Sequence, residues 1–282
     1  MFEWKNLFKQ IPMKFNENLH YYQNSYENKE SNNDFIWEHF KDLVNETPFL
    51  KSHRDYVEDN FAGFGDRSFH YMWYLLLQDL KNLNKEVSCL EIGIFKGQVI
   101  SLWALIAKKI NLNIKITGIS PLEGNYPDVK IFRNHYIKKL LSLFIPKIRK
   151  DFKNGNLHVN EDFITHIDKM FQNSNIDFKE VELIKGYSND PKVIEQIKNR
   201  TFDMIYIDGD HSFKVCKEDL NNYAHLLLPN GYLIMDDAAS FLPGTKFFKG
   251  ILEVSKVCEE IDSNQFKNIL NVGHNRIYQK IG

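Results

Sequence analysis

Phe202-Asp-Met-Ile-Tyr-Ile-Asp-Gly-Asp-His-Ser-Phe213 is an apolar run that stops abruptly in two acids, Asp208 and Asp210. It is answered downstream by Gly231-Tyr-Leu-Ile-Met-Asp-Asp237, which stops in Asp236 and Asp237. Short apolar runs bounded by turn residues read as strands buried on both faces, as in a parallel sheet. Two such neighbours bring all four carboxylates to the carboxyl edge, where open α/β sheets hold their ligands. Gathered acids repel one another unless a cation, a proton or a ligand sits among them. The cluster therefore asks for a functional reason to exist.

Outward from this pair the rhythm of strand and helix continues. Val87 to Gly93 reads as a buried strand, Val99 to Lys109 as the helix after it, and Ile114 to Ile119 as a second strand closed by Pro121 and Gly124. Lys179 to Gly186 is a third strand, and Asp190-Pro191 starts the next helix. A helix over Lys214–Leu228, a turn at Pro229-Asn-Gly231, a helix near Ile251–Ile261 and a strand pair between Phe266 and Gln279 complete the run. This alternation predicts an α/β fold, a mainly parallel sheet with helices on both faces. Residues 127–178 break the rhythm and read as an insertion. Residues 1–35 are polar and rich in Asn and Tyr, an arm ordered in part by contacts. Phe35, Ile36, Phe40, Leu43 and Val44 have helical spacing in the stretch from 35 to 60, and Ser68 is placed to cap the helix that follows. The organisation expected is an N-terminal arm and helical extension over 1–64, then the main domain over 65–282.

Composition narrows the function. With 36 basic and 37 acidic residues the net charge is −1, which provides no global field for nucleic acid or a membrane. Cys89, Cys216 and Cys258 are too widely spaced for a metal site and suit a reducing cytoplasm, with Cys89 a buried small hydrophobe. Met1-Phe-Glu-Trp-Lys lacks a signal-peptide pattern and no apolar run reaches membrane-spanning length. The expectation is a cytoplasmic protein without stable membrane insertion. Aromatic residues make up 14% of the chain, enough to supply a homo-oligomer interface or a lid as well as a core.

Glu91-Ile-Gly93-Ile-Phe95-Lys-Gly97 follows the first strand and opens a helix. The spacing differs from the Gly-x-Gly-x-x-Gly of dinucleotide sites, and Glu91 puts a negative charge where a pyrophosphate would lie. A cationic or amino-bearing ligand fits better. In this context the turn resembles motif I of the class I S-adenosylmethionine-dependent methyltransferases, whose Rossmann-like fold it implies. The block Tyr206-Ile-Asp-Gly-Asp-His-Ser-Phe…Asp219-Leu…Leu228-Pro-Asn-Gly-Tyr-Leu-Ile-Met-Asp-Asp237 resembles the macrocin and novobiocin-type sugar O-methyltransferases. That branch is related in active-site layout to the catechol O-methyltransferases. The resemblance covers about residues 65–280.

Carried over by position, the resemblance implies that Glu91, Gly93, Phe95 and Gly97 surround the methionine part of S-adenosylmethionine. Ser68 would lie near its carboxylate. The family's acid at the end of the second strand is missing, so Ser120 or Glu123 is left to hold the ribose. Ser188 and Asp190 fall where the adenine is contacted, although both also suit a helix N-cap before Pro191. Asp208, Asp236 and Asp237 match the three metal acids, and oxygen donors point to Mg²⁺; Asp208 also borders the cofactor. Asp210 matches the position of the general base, with His211 its competitor and the better base where no metal is present. Turn formation around Gly209 is the structural reading of Asp208 and Asp210.

Between Lys130 and Lys153 lie eight basic residues opposed by Asp151, with Ile137, Leu140, Leu141, Phe144 and Ile145 interleaved at helical spacing. A basic lid over an anionic, nucleotide-sugar acceptor, a solvated helix face and a membrane-surface helix are all compatible with this pattern. His274 and Arg276, in Gly273-His-Asn-Arg276, are candidates for contact with the acceptor. The function expected is metal-assisted O-methylation of a sugar hydroxyl. A catechol-type small molecule is the rival acceptor, and a non-catalytic, cofactor-binding assembly subunit is the rival class.

Overall fold

The computed structural model describes residues 18–282; the remainder of the expected polar arm, residues 1–17, lies outside the described residues. Seven strands form one sheet: β1 (Glu86–Ile92), β2 (Asn113–Ser120), β3 (Val181–Lys185), β4 (Phe202–Ile207), β5 (Leu227–Met235), β6 (Phe266–Val272) and β7 (Asn275–Lys280). Their order is β3-β2-β1-β4-β5-β7-β6, parallel from β3 through β5, with β7 antiparallel to both β5 and β6. The chain leaves β1 toward β2 and β3, then returns to the other side of β1 as β4. This reversal opens a crevice between the carboxyl ends of β1 and β4, the place where doubly wound sheets bind ligands.

The helices are α1 (Leu19–Ser25), α2 (Glu30–Glu46), α3 (Pro48–Asp59), α4 (Ser68–Leu83), α5 (Gln98–Ile110), α6 (Lys130–Arg133), α7 (His135–Phe144), α8 (Pro146–Lys153), α9 (Phe163–Asn173), α10 (Pro191–Ile197), α11 (Phe213–Tyr223) and α12 (Leu252–Cys258). One face of the sheet packs on α1, α2, α4, α5 and α9 through a core that includes Phe40, Trp73, Trp103 and Phe171. The other packs on α10, α11 and α12 around Ile205, Tyr223, Leu233 and Val257. The buried cysteines are free thiols within these cores.

The N-terminal half differs from the sequence reading in three places. Residues 18–25, read as part of an arm, hold a helix: Asn18 accepts from the Tyr21 N–H, and Leu19 and Tyr22 are buried. The helical stretch expected from 35 to 60 is two helices, because Pro48 cannot continue α2 but suits the first turn of α3. Asp66 rather than Ser68 caps α4, accepting from the Ser68 N–H at 3.0 Å and its hydroxyl at 3.1 Å. Asp190 caps α10 as the sequence suggests, accepting from the Lys192 N–H at 2.8 Å.

The insertion folds on its own small core of Tyr126, Ile148 and Leu157. Pro146 breaks its basic run into α7 and α8. The part holding α6 to α8 is closed where the Tyr126 N–H donates to the His158 carbonyl at 3.0 Å and the Asn160 N–H donates to Tyr126 at 2.8 Å, while α9 of the same insertion packs in the main core.

Candidate active site

The ends of three strands are stepped against one another by backbone hydrogen bonds. Gly93 N–H donates to Ile119, Asp208 N–H to Ile92 and Asp236 N–H to Ile207, at 2.9, 2.9 and 3.1 Å. Each acid is therefore held by the last carbonyl of the strand beside it. The chain leaves β1 through Gly93 at φ +97°, and a Cβ there would lie 1.8 Å from the Asp208 carbonyl oxygen. Only glycine lets these two strand ends approach so closely. Asp237 itself adopts φ +51°, an uncommon conformation for a residue with a Cβ.

Two histidines interleave with the three acids. His211 Nε2 lies 3.3 Å from Asp208 Oδ1 and 3.6 Å from Asp237 Oδ2. His274 Nε2 lies 3.5 Å from Asp236 Oδ1 and 3.6 Å from Asp237 Oδ1. His211 Nδ1 is 2.9 Å from the Asn154 carbonyl at the end of α8, so the proton on that nitrogen points into the insertion and Nε2 faces the acids. His274 is clamped edge-on between Phe69 and Phe248. Among the described residues Asp236 Oδ1 and Glu91 Oε2 accept no hydrogen bond although both are buried.

Burial and mutual charge decide the protonation of this group. Burial first, then the charges of Asp208 and Asp237, push Asp236 well above the usual carboxylate range. Asp237 is also raised by burial, against the pull of His211 and His274. Burial followed by the Asp208 charge raises Glu91 well above its ordinary value. Burial works against a charge on His211, but its hydrogen bond to Asp208 and the charges of Asp237 and Asp208 raise it to about 9. Burial lowers His274 below the usual imidazole range, against the pull of Asp237. The neighbouring acids thus favour the charged form of His211 in the protein alone.

These side chains line a cleft of about 830 Å³. Of the residues singled out from sequence, Glu91, Gly93, Phe95, Ser120, Glu123, Ser188, Asp208, Asp210, His211, Asp236, Asp237 and His274 all form its wall. Four lie elsewhere. Ser68 is fully buried and its hydroxyl is committed to Asp66, which takes the wall position instead. Gly97 packs against Ile167 of α9, where a Cβ would approach to 2.9 Å. Asp190 serves as the α10 cap, and Arg276 points away from the cleft, donating to the Ala238 carbonyl and to Glu259. Asp210 combines roles, lining the cleft while Oδ1 accepts from the Ser212 N–H at 2.7 Å.

Sequence reasoning missed Tyr206, whose hydroxyl reaches the cleft 3.4 Å from Asp208 Oδ2, because it read that residue only as strand. It also missed His158 and Phe248, which loops bring to the cleft from a distance, and Asn154, whose carbonyl lies behind the wall at His211. The insertion does wall the cleft, through Phe152, Lys153, Gly155, Asn156 and His158.

The family model of a methyltransferase domain matches residues 90–238, the span from the end of β1 through the Asp236-Asp237 pair. The chain belongs to this methyltransferase family. Its sheet order and crevice are those of the Rossmann-like class I methyltransferase fold. Solved methyltransferase structures share that fold at low identity. The O-methyltransferase NovP is 17% identical, with 76% of this chain and 79% of that one covered and a TM-score of 0.53. A Staphylococcus aureus protein provisionally described as a caffeoyl-CoA O-methyltransferase is 18% identical, with 88% and 100% covered and a TM-score of 0.54. No curated protein matches the sequence. Among the described residues no helix of this methyltransferase is long and apolar enough to cross a membrane.

Proposed function

We propose that this methyltransferase uses S-adenosylmethionine and a divalent cation, Mg²⁺ foremost, to methylate a sugar hydroxyl on a nucleotide-activated or glycan-bound saccharide. One observation carries the proposal: Asp208, Asp236 and Asp237 line one cleft, where Asp208, His211 and Asp236, and likewise Asp236, Asp237 and His274, gather ligand atoms close enough for one ion, and Asp236 Oδ1 and Glu91 Oε2 are buried without a hydrogen bond. Buried carboxylate oxygens without partners are costly, and a cation and an amino-bearing ligand are the groups that would satisfy them. The donor set fits a hard divalent ion through its carboxylates, with His211 and His274 able to hold their outer oxygens. Glu91 and the Gly93 turn fit the amino-acid end of the cofactor, while Ser120, Glu123 and Ser188 border the space left for its nucleoside.

Bound there, the two would supply a sulfonium methyl and a Lewis acid for a hydroxyl oxygen. The chain's own residues do the rest. Asp210, at the cleft wall beside the metal acids, accepts the hydroxyl proton. His211 orients Asp208 and Asp237, and its position is set by the Asn154 carbonyl. Phe69 and Phe248 hold the His274 ring edge-on beside the acids. Phe64, stacked on Phe95, and Phe163 border the cleft, helping to exclude water. Lys153 at the cleft wall favours an acceptor carrying phosphate over a neutral catechol.

Titration calorimetry with Mg²⁺, paired with transfer of labelled methyl to a panel of nucleotide sugars and catechols, tests this reading. Wild type is expected to bind Mg²⁺, and Asp236→Asn to lose that binding while still folding. Asp210→Asn should lower turnover about 10²-fold or more with cofactor binding retained. Full activity in a chelator removes the metal from the reaction. Unchanged turnover in Asp210→Asn removes the base assignment, and methylation of catechols alone replaces the sugar.

A further inference from the structure

The α7 helix turns Leu141 and Ser142 inward, Leu141 against the insertion's core, and leaves a second apolar stripe uncovered. Tyr136, Leu140, Leu143 and Phe144 share one stripe by helical spacing, and they stand 81%, 56%, 60% and 75% exposed. Ser142, on the opposite side, is the one buried residue of the helix. Arg149 of α8 donates to the carbonyls of Ser142 and Leu143, and Ile148 of α8 shares the small core with Leu141, so α8 lies on the inner side. A helix with a single partner core leaves its outer face polar, whereas here the outer face is apolar. A contiguous apolar surface of this kind marks a place of interaction.

The charge around the stripe identifies what covers it. Lys139, Lys147 and Lys150 are exposed on the same helical hairpin, and Lys130 on the short α6 just before it. The acids among them are engaged: Asp128 accepts from Arg133, and Asp151 accepts from the Tyr126 hydroxyl at 2.7 Å. A second copy of this chain in a two-fold contact would set the patch against itself and press one rim of lysines on another. An anionic bilayer meets both requirements, since its headgroup boundary takes up an apolar stripe and its surface potential attracts the surrounding lysines.

We propose that the α7–α8 hairpin docks this protein reversibly on an anionic lipid surface, with Tyr136, Leu140, Leu143 and Phe144 entering the headgroup region. The hairpin runs on directly into Phe152 and Lys153 of the cleft wall, so docking presents the cleft to whatever the bilayer carries. The proposal stands apart from the methyl-transfer reading, because it rests on the outer surface of the insertion.

Sedimentation of the full chain with phosphatidylcholine vesicles, with and without about one third phosphatidylglycerol, tests it. Binding is expected with the anionic vesicles alone and should fall about tenfold on raising salt to about 0.5 M. Leu143→Ser with Phe144→Ser should lower binding about tenfold or more, as should Lys139→Glu with Lys150→Glu, with thermal unfolding and cofactor binding as in wild type. Absence of binding to anionic vesicles at low salt overturns the proposal, including the case in which an acidic protein captures the hairpin instead. Wild-type binding by both double variants also overturns it. Self-association in sedimentation velocity that the same substitutions abolish, without vesicle binding, assigns the patch to a second copy.

Discussion

At the scale of single residues, the site depends on places where one atom more or one charge more has no room. Gly93 is the clearest, with the Asp208 carbonyl where its Cβ would be and a positive φ besides. Gly93→Ala is expected to destabilise the fold by on the order of 3 kcal/mol or more in denaturant titrations, since backbone cannot swing aside as a side chain can. Asp219 on α11 makes a second case. Its carboxylate lies behind Gly209, 3.1 Å from where a Cβ would stand, and burial raises it from 3.8 to about 7. Because the folded state holds this proton more tightly than the unfolded chain, the contribution is present below pH 3.8 and is lost as pH rises to about 7. Asp219→Asn is neutral and nearly isosteric. It should flatten that part of the stability–pH profile and be the more stable protein at pH 8 by on the order of 1–4 kcal/mol, measured by chemical unfolding at several pH values.

At the scale of elements, the insertion is more than a cover. Its α6–α8 part is pinned side by side by the Tyr126, His158 and Asn160 backbone bonds, and just before that closure stands the Asn154 carbonyl that aims His211. Replacing residues 127–157 with a short linker is therefore expected to leave the sheet and its cooperative unfolding in place. The same deletion frees the His211 ring and opens one wall of the cleft. A loss of turnover of about 10²-fold or more is expected, with circular dichroism of the remaining domain intact, because misaligned groups at a reacting centre forfeit most of their advantage. An insertion serving only as a solvated ornament would leave turnover unchanged.

At the scale of the whole molecule, α1 to α3 are structural parts of the fold. Leu19, Tyr22, Phe40, Val44 and Leu50 belong to the same core as Trp73 and Trp103 of α4 and α5. Phe40→Ala should cost about 3–5 kcal/mol in one cooperative transition, and a chain beginning at residue 65 should not fold stably, as followed by thermal unfolding. Strand identity, the parallel order implied by alternation, the glycine turn and the edge of acids were legible in the sequence, because each depends on short-range patterning and on what a strand end must expose. Ser68, Gly97 and Arg276 fall outside the cleft wall, and Asp190 takes its N-cap reading, because local spacing does not reveal where a side chain points or which neighbour claims it. The uncovered stripe of α7 was equally hidden, since periodicity marks apolar positions without saying which of them the fold covers. What the sequence determined by itself is the set of groups at the carboxyl edge of β1, β4 and β5. Only the tertiary structure decided their pairing, placing His211 and His274 between the acids and leaving Asp236 and Glu91 with buried, unbonded oxygens, because those contacts join residues brought together from separate loops.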